Sequence, residues 1–368
     1  MIPMARPLVD DAACDAVVAV LRSGMLAQGS VVQQFEERFA ELCGVDYAIA
    51  ASSGTTALHL ALLAHDIGPG DEVITTSFSF IASANVALYT GATPVFADID
   101  PATFQIDPDE VEAKITPRTR AVIAVHLYGT AADLGRLTEI CERHNLVLIE
   151  DACQAHGATW AGRPVGSFGT GCFSFYPTKN VTSAEGGMVT TNDPEIAERA
   201  RLLRAHGMPI RYHHDMLGYN FRMTDVHAAI GLAQLDHLRG WTDERVCNAG
   251  TLRRLLEPLP VDPQAVYEDA SHVYHQFTIR VHEGRDDVAA YLKSHGVGCE
   301  VYYPIPIHQQ KVYLDRGYRD FLPHSERAAL EVLSLPIHPS LNGEDLCTIA
   351  RTLADALASV PAMRVAAD

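Results

Sequence analysis

Only four lysines occur in the 368 residues, and one of them stands where a nucleophilic amine would be useful. Lys179 follows Phe173-Ser174-Phe175-Tyr176-Pro177-Thr178, a strand-like run entering a loop that closes at Gly186-Gly187 before Met188–Thr191. Lys114, Lys293 and Lys311 fall in segments that read as solvent-facing helix or loop. Burial against a cofactor is the usual route to a lysine that is nucleophilic at neutral pH, an exposed loop lysine being the alternative. Twenty-eight residues earlier, the apolar run Leu146-Val147-Leu148-Ile149 ends in Glu150-Asp151. In open α/β sheets ligands sit beyond the carboxyl ends of the strands, which would turn Asp151 toward a cleft unless it is simply a helix N-cap. Gln154, one turn on, could reach the same ligand. Nearer the N-terminus, Ser52-Ser53-Gly54-Thr55-Thr56 joins a short strand to an apolar helix. Such a junction aims free N–H groups and the positive helix end at whatever lies above, a natural phosphate cup, although a Ser/Thr cluster there also serves as a plain N-cap.

An anion site, a carboxylate at a strand end and a lysine beyond a later strand are the three things pyridoxal phosphate requires: a cup for its phosphate, a partner for its ring nitrogen and an amine for its aldehyde. Their joint occurrence in this order is far less expected by chance than any one of them. Two competing motifs are weaker. His213-His214-Asp215 is the densest cluster among 17 histidines, but adjacent histidines point to opposite faces of a strand or lie about 100° apart on a helix, so no metal is expected. Gly169-Thr170-Gly171 lacks the third glycine and the following helix of a dinucleotide fingerprint.

The elements that must hold these residues alternate. Apolar residues recur at helical spacing over Asp10–Arg22 and Val31–Cys43, ended by Gly24 and Gly44. Short apolar runs at Tyr47–Ala50, Glu72–Thr75, Thr93–Ala97, Ala121–Val125 and Leu146–Ile149 are separated by segments able to form helices. Alternating βα units imply a mainly parallel sheet, buried on both faces, with helices flanking it. After Trp241 a long helical pattern leads to an alternating strand at Phe277–Val281, then helical patterns at Asp286–His295, Ser325–Leu333 and Glu344–Leu357. The expected division is a large α/β domain over 1–240 and a smaller α+β domain over 241–368.

Composition sets outer bounds. Hydrophobic residues make up 48% and charged residues 20%, enough apolar material for an ordinary core. A formal charge of −18 argues against nucleic acid or anionic membrane as partners, while leaving open an anionic small substrate drawn by the local field of a cleft. Eight scattered cysteines form no framework, Met1–Pro7 lacks the basic and apolar stretches of a signal peptide, and no run is long enough to span a bilayer. A cytoplasmic protein is expected.

The sequence also resembles a known family nearly end to end, the DegT/DnrJ/EryC1/StrS sugar aminotransferases. The resemblance rests on Ser53-Gly54-Thr55, Gly68 to Ile74, Gly91 to Phe96, Glu150 to Ala155, Ser174 to Lys179, Gly186-Gly187 and Leu217 to Met223. It implies the fold of aspartate aminotransferase (fold type I), with a seven-stranded sheet, and Lys179 carrying pyridoxal phosphate as a Schiff base while Asp151 pairs with the ring nitrogen. It further implies that Gly54, Thr55 and Ser174 hold the phosphate, that Phe80 stacks on the ring and that Gln154 lies beside the ring or its hydroxyl. Asn220 would reach the phosphate of a neighbouring subunit, making the active unit a homodimer with shared sites. The residues by themselves suggest only core packing for Phe80 and a loop position for Asn220.

The same resemblance implies glutamate as amino donor, pyridoxamine phosphate as the aminated cofactor, and a nucleotide-linked keto-deoxyhexose as acceptor, ketonic at C4 more often than C3. Arg222, Tyr302 and His308 are the candidate acceptor contacts, each with a structural role equally open. Some relatives carry histidine in place of the lysine and remove a hydroxyl group; this chain keeps Lys179, which points to transamination. A cyclitol acceptor and a non-enzymatic cofactor-binding regulator are the two competing readings.

Overall fold

The computed structural model of the chain describes residues 1–367, with side chains described as far as Ser359. The expected βα alternation forms seven strands: β1 (Tyr47–Ala51), β2 (Glu72–Thr76), β3 (Thr93–Ala97), β4 (Thr119–Val125), β5 (Val147–Asp151), β6 (Thr170–Ser174) and β7 (Gly187–Thr191). They lie in the order β1-β7-β6-β5-β4-β2-β3. All neighbours are parallel except β7, which runs antiparallel to both β1 and β6.

Side-chain alternation explains why these runs carry little polarity. Ala48, Ala50, Ile74, Val122, Ala124, Leu148, Phe173 and Met188 point to one face, where helices Ser30–Cys43, Leu134–His144 and Asp225–Leu235 cover them. Ile49, Ala51, Val73, Ala121, Ile123, Ile149, Cys172 and Val189 point to the other, under helices Gly54–Ala64, Ala82–Thr90 and Pro194–Arg204. A strand buried on both faces must be apolar at consecutive positions.

The C-terminal part builds a second, antiparallel sheet from β8 (Asp262–Pro263), β9 (Phe277–Arg280) and β10 (Val332–Leu335). Its core includes Ala249, Leu252 and Leu256 of helix Leu238–Leu256 together with Val288, Leu292, Leu346, Ile349 and Leu353. The helical spacing expected over Ser325–Leu333 is cut short: the helix is Pro323–Glu331, and Val332 onward pairs with β9. Val332-Leu333-Ser334-Leu335 is buried throughout, and a short, fully buried apolar run is compatible with either element until a partner strand selects one. Packing also crosses position 240 in both directions. Ile2 bridges Val297 and packs on the small-sheet core, while Ala328, Ala329 and Val332 join Phe78, Phe104 and Tyr128 beside the large sheet. Among the described residues, no helix is long and apolar enough to cross a membrane.

Candidate active site

A cleft of about 480 Å³ opens at the carboxyl ends of the parallel strands. Gly54 and Thr55 enter it from the end of β1, Ser79 and Phe80 from β2, Val125 from β4, Asp151 from β5 and Ser174 from β6. Lys179 and Glu185 come from the loop before β7, and His275, Gln276, Tyr302 and Tyr303 from the C-terminal part. Residues far apart in sequence thus share one chamber, because the parallel strands deliver their last residues to the same sheet edge.

The expected phosphate cup lies at the start of helix Gly54–Ala64. Ser53 is its N-cap, accepting from the Thr56 amide at 3.1 Å, and the Thr56 hydroxyl accepts from the Ser53 amide in return at 2.9 Å. The capping reading of this cluster therefore holds for Ser53. It leaves the amides of Gly54 and Thr55, which have no carbonyl partner inside the helix, for a ligand. A Cβ added at Gly54 would lie 2.6 Å from Ser174 Cβ and 2.9 Å from Cys153 Sγ. Gly54→Ala should weaken cofactor retention by about 10- to 100-fold, the effect of about 1–3 kcal/mol of overpacking, in a fluorescence titration of cofactor-free protein. Unchanged affinity would show that this junction is not the cup.

Asp151 is 5% exposed, with Oδ2 accepting from the Ser83 hydroxyl at 2.7 Å and Oδ1 only a 3.3 Å contact from the Cys153 amide. The adjacent Glu150 points the other way and is fully buried, accepting from the amides of Gly166, Phe168 and Gly169 and meeting His126 Nε2 at 3.1 Å. Consecutive strand residues face opposite sides, so one acid serves the cleft while its neighbour ties down a loop. His126 Nδ1 accepts from the Ala132 amide, which makes it a satisfied structural histidine.

Lys179 lies on the cleft wall, with no hydrogen bond or ion pair to its amine among the described residues. Burial pushes its pKa below the ordinary 10.5, and the neighbouring Cys153 and Asp151 oppose that shift only in part. Desolvation disfavours the cation and leaves more free amine at neutral pH. Gln154 is pinned between the Tyr128 amide, which donates to Oε1 at 2.7 Å, and the Tyr303 hydroxyl, 3.3 Å from Nε2. Phe80 is 55% exposed, with its ring 6.2 Å from that of Tyr303, an aromatic flank with no core to bury it.

The demands of pyridoxal phosphate are therefore met by the residues present: a glycine cup too tight for a methyl, a carboxylate with one oxygen left lightly engaged, and an unpaired amine in the same chamber. Of the expected acceptor contacts, Tyr302 lines the cleft, and its carbonyl accepts from the Tyr128 hydroxyl. His308 does not line it: the side chain is buried, with Nδ1 at 2.6 Å from Ser77 Oγ and Nε2 at 3.3 Å from Glu326. Asn220 is exposed and Arg222 half-buried, and neither lines this chain's own cleft. Ser79, Ser83, Tyr176, Glu185, His275, Gln276 and Tyr303 are the site residues that the sequence reading missed. The available signals were Tyr303's adjacency to Tyr302 and Tyr176's place in the run leading to Lys179.

A family model described as the DegT/DnrJ/EryC1/StrS aminotransferase family matches residues 7–354. The chain is 45% identical over 343 residues to a pleiotropic regulatory protein of Geobacillus stearothermophilus, covering 91% of this chain and 92% of the relative. It is 43% identical over 336 residues to a UDP-N-acetyl-3-dehydro-alpha-D-glucosamine 3-aminotransferase of Acidithiobacillus ferrooxidans, covering 91% and 90%. The solved structure of DesV from S. venezuelae, in complex with a ketimine intermediate, superposes with a TM-score of 0.91 at 39% identity, covering 93% of each chain. A match of this extent, on a fold whose sheet edge gathers Gly54, Asp151 and Lys179, makes the chain a member of the DegT/DnrJ/EryC1/StrS aminotransferase family.

Proposed function

We propose that this aminotransferase binds pyridoxal phosphate through Lys179 and carries an amino group from glutamate to a nucleotide-linked keto sugar. The observation that carries the reading is the unpaired, desolvated Lys179 amine sharing one chamber with Asp151 and the tight helix start at Gly54. When bound, the cofactor supplies an aldehyde that takes up the amino group and an electron-poor ring that accepts the electron pair left on the donor α-carbon. Asp151 would hold a proton on the ring nitrogen. Lys179 Nζ would hold the cofactor's aldehyde and, once free, would be the base that moves the donor's α-proton. Phe80 and Tyr303, which line the cleft with their rings 6.2 Å apart, would flank the ring and keep water from it.

Lys179 is the only lysine or arginine among the residues lining the cleft, whereas a diphosphate and the two carboxylates of glutamate need cationic or N–H partners. This supports assigning Asn220 and Arg222 to a neighbouring subunit's site in a homodimer, with Tyr302 contacting the sugar from this chain. The family likeness favours a 4-keto-6-deoxy acceptor, while the name of the Acidithiobacillus relative places its amino group at C3. Mass spectrometry of products from glutamate with 4-keto and 3-keto nucleotide sugars, and with inososes, tests all three. Amination of a nucleotide-linked 4-keto sugar is expected; amination of inososes alone would make the protein a cyclitol aminotransferase.

The name of the Geobacillus relative favours a second reading, a cofactor-binding regulator. Glutamate separates the two: an enzyme loses its bound-aldehyde absorption when glutamate is added, and a regulator without turnover keeps it.

A further inference from the structure

Asp151 is not held by the main chain alone. The Ser83 hydroxyl, on the first turn of helix Ala82–Thr90, donates to Asp151 Oδ2 at 2.7 Å, and Ser79 Oγ lies 3.0 Å behind it. Ser83 and Ser79 are 1% and 4% exposed. A carboxylate can only accept, so the single Ser83 proton is committed to Asp151, and Ser83 must in turn accept from Ser79. The result is a one-way chain of hydroxyls from the wall of the cleft, which Ser79 lines, to the back of the acid. With Oδ2 occupied from behind and Oδ1 carrying only the 3.3 Å contact from Cys153, the carboxylate has one oxygen left for a ligand in the cleft.

We infer that Ser83, supported by Ser79, is a positioning residue: it fixes the rotation of the Asp151 carboxylate so that Oδ1 holds the proton on the cofactor's ring nitrogen. The inference rests on the proposed cofactor. Without the Ser83 hydroxyl, two effects act in the same direction. The carboxylate is free to turn from the ring, and, having lost a donor, it draws the shared proton toward itself. Both leave the ring nitrogen less protonated. Alanine is the better helix former and removes only one oxygen, so Ser83→Ala keeps the fold.

The test is nitrogen NMR of the assembled protein loaded with cofactor isotopically labelled at the ring nitrogen, alongside steady-state kinetics. In Ser83→Ala the ring resonance moves from the protonated toward the neutral pyridine position, and kcat falls about 10- to 100-fold, the range of one lost hydrogen bond to a charged group, while KM for the amino donor stays within about threefold. Ser83→Thr, which keeps the hydroxyl, restores the resonance, and Ser79→Ala moves it less than Ser83→Ala does. A loaded Ser83→Ala protein with the parent resonance, or a Ser83→Thr protein shifted as far as Ser83→Ala, overturns the positioning role. If the parent itself fails to carry labelled cofactor on Lys179, the cofactor reading fails first and the inference falls with it.

Discussion

Lys179→Ala is expected to lower turnover by about 10⁴-fold or more, because one substitution would remove both the proposed covalent anchor and the proposed carrier of the α-proton. Borohydride treatment of the parent should fix the cofactor on residue 179 and, in the variant, on no residue. A small primary amine added to the variant should restore part of the rate by standing in for the missing side chain. Near-parent activity, or cofactor fixed on Lys114, Lys293 or Lys311, would remove Lys179 from the mechanism. The depressed pKa gives the same residue a pH signature. Burial disfavours its cation, so capture of pyridoxal phosphate by cofactor-free protein should rise with pH through an inflection below the ordinary lysine value of 10.5. Between the folded and unfolded pKa values the unfolded chain binds more protons at this site, so stability rises with pH across that window. Below the folded pKa the cost of burying the cation is present in full, and above 10.5 it is gone.

Asp151→Asn carries the second-largest effect, a loss of about 10²- to 10⁴-fold in kcat, equivalent to the roughly 3–5 kcal/mol of a broken buried charge pair. The geometry makes the substitution informative. Asparagine is nearly isosteric, and its carbonyl can still accept from Ser83, so its amide is turned toward the cleft. A donor then faces a ring nitrogen that must give up its own proton to be accommodated. Cofactor binding should survive while the electron-accepting power of the ring does not. A loss of less than tenfold would take Asp151 out of this role.

Chemistry borne on strand ends was legible because its signals are local. Leu146 to Asp151 shows an apolar run ending in acid, and Ser52 to Thr56 shows a helix start rich in hydroxyls, so position along the chain already implies position at the sheet edge. Six runs of strand-like residues likewise announced the sheet, and the seventh strand was marked only as the segment after Gly186-Gly187. The orientation of β7 was not legible, since an apolar run reads the same parallel or antiparallel. Ser83, His275 and Tyr303 were hidden for a different reason. Each lies in a segment whose pattern describes only its own helix or loop, and only tertiary packing brings it to Asp151, Lys179 or Gln154. His308 shows the converse: the resemblance gave it to the substrate, and Ser77 and Glu326 engage both its ring nitrogens beneath the surface.

The place of β7 bears on how the chain assembles. Tyr47 of β1 pairs with Thr191, and Ser174 of β6 pairs with Gly187, so the strand made last is inserted between two that have waited for it. Until residues 187–191 leave the ribosome, the nascent sheet presents two unpaired inner edges, the kind that recruit other chains. Gly187 is the tightest point of that insertion, since a Cβ there would collide with the Ser53 carbonyl beside the proposed cup. Closure of the sheet and completion of the cup thus depend on the same strand, and a cofactor held there would be a ligand of the finished sheet rather than a template for reaching it.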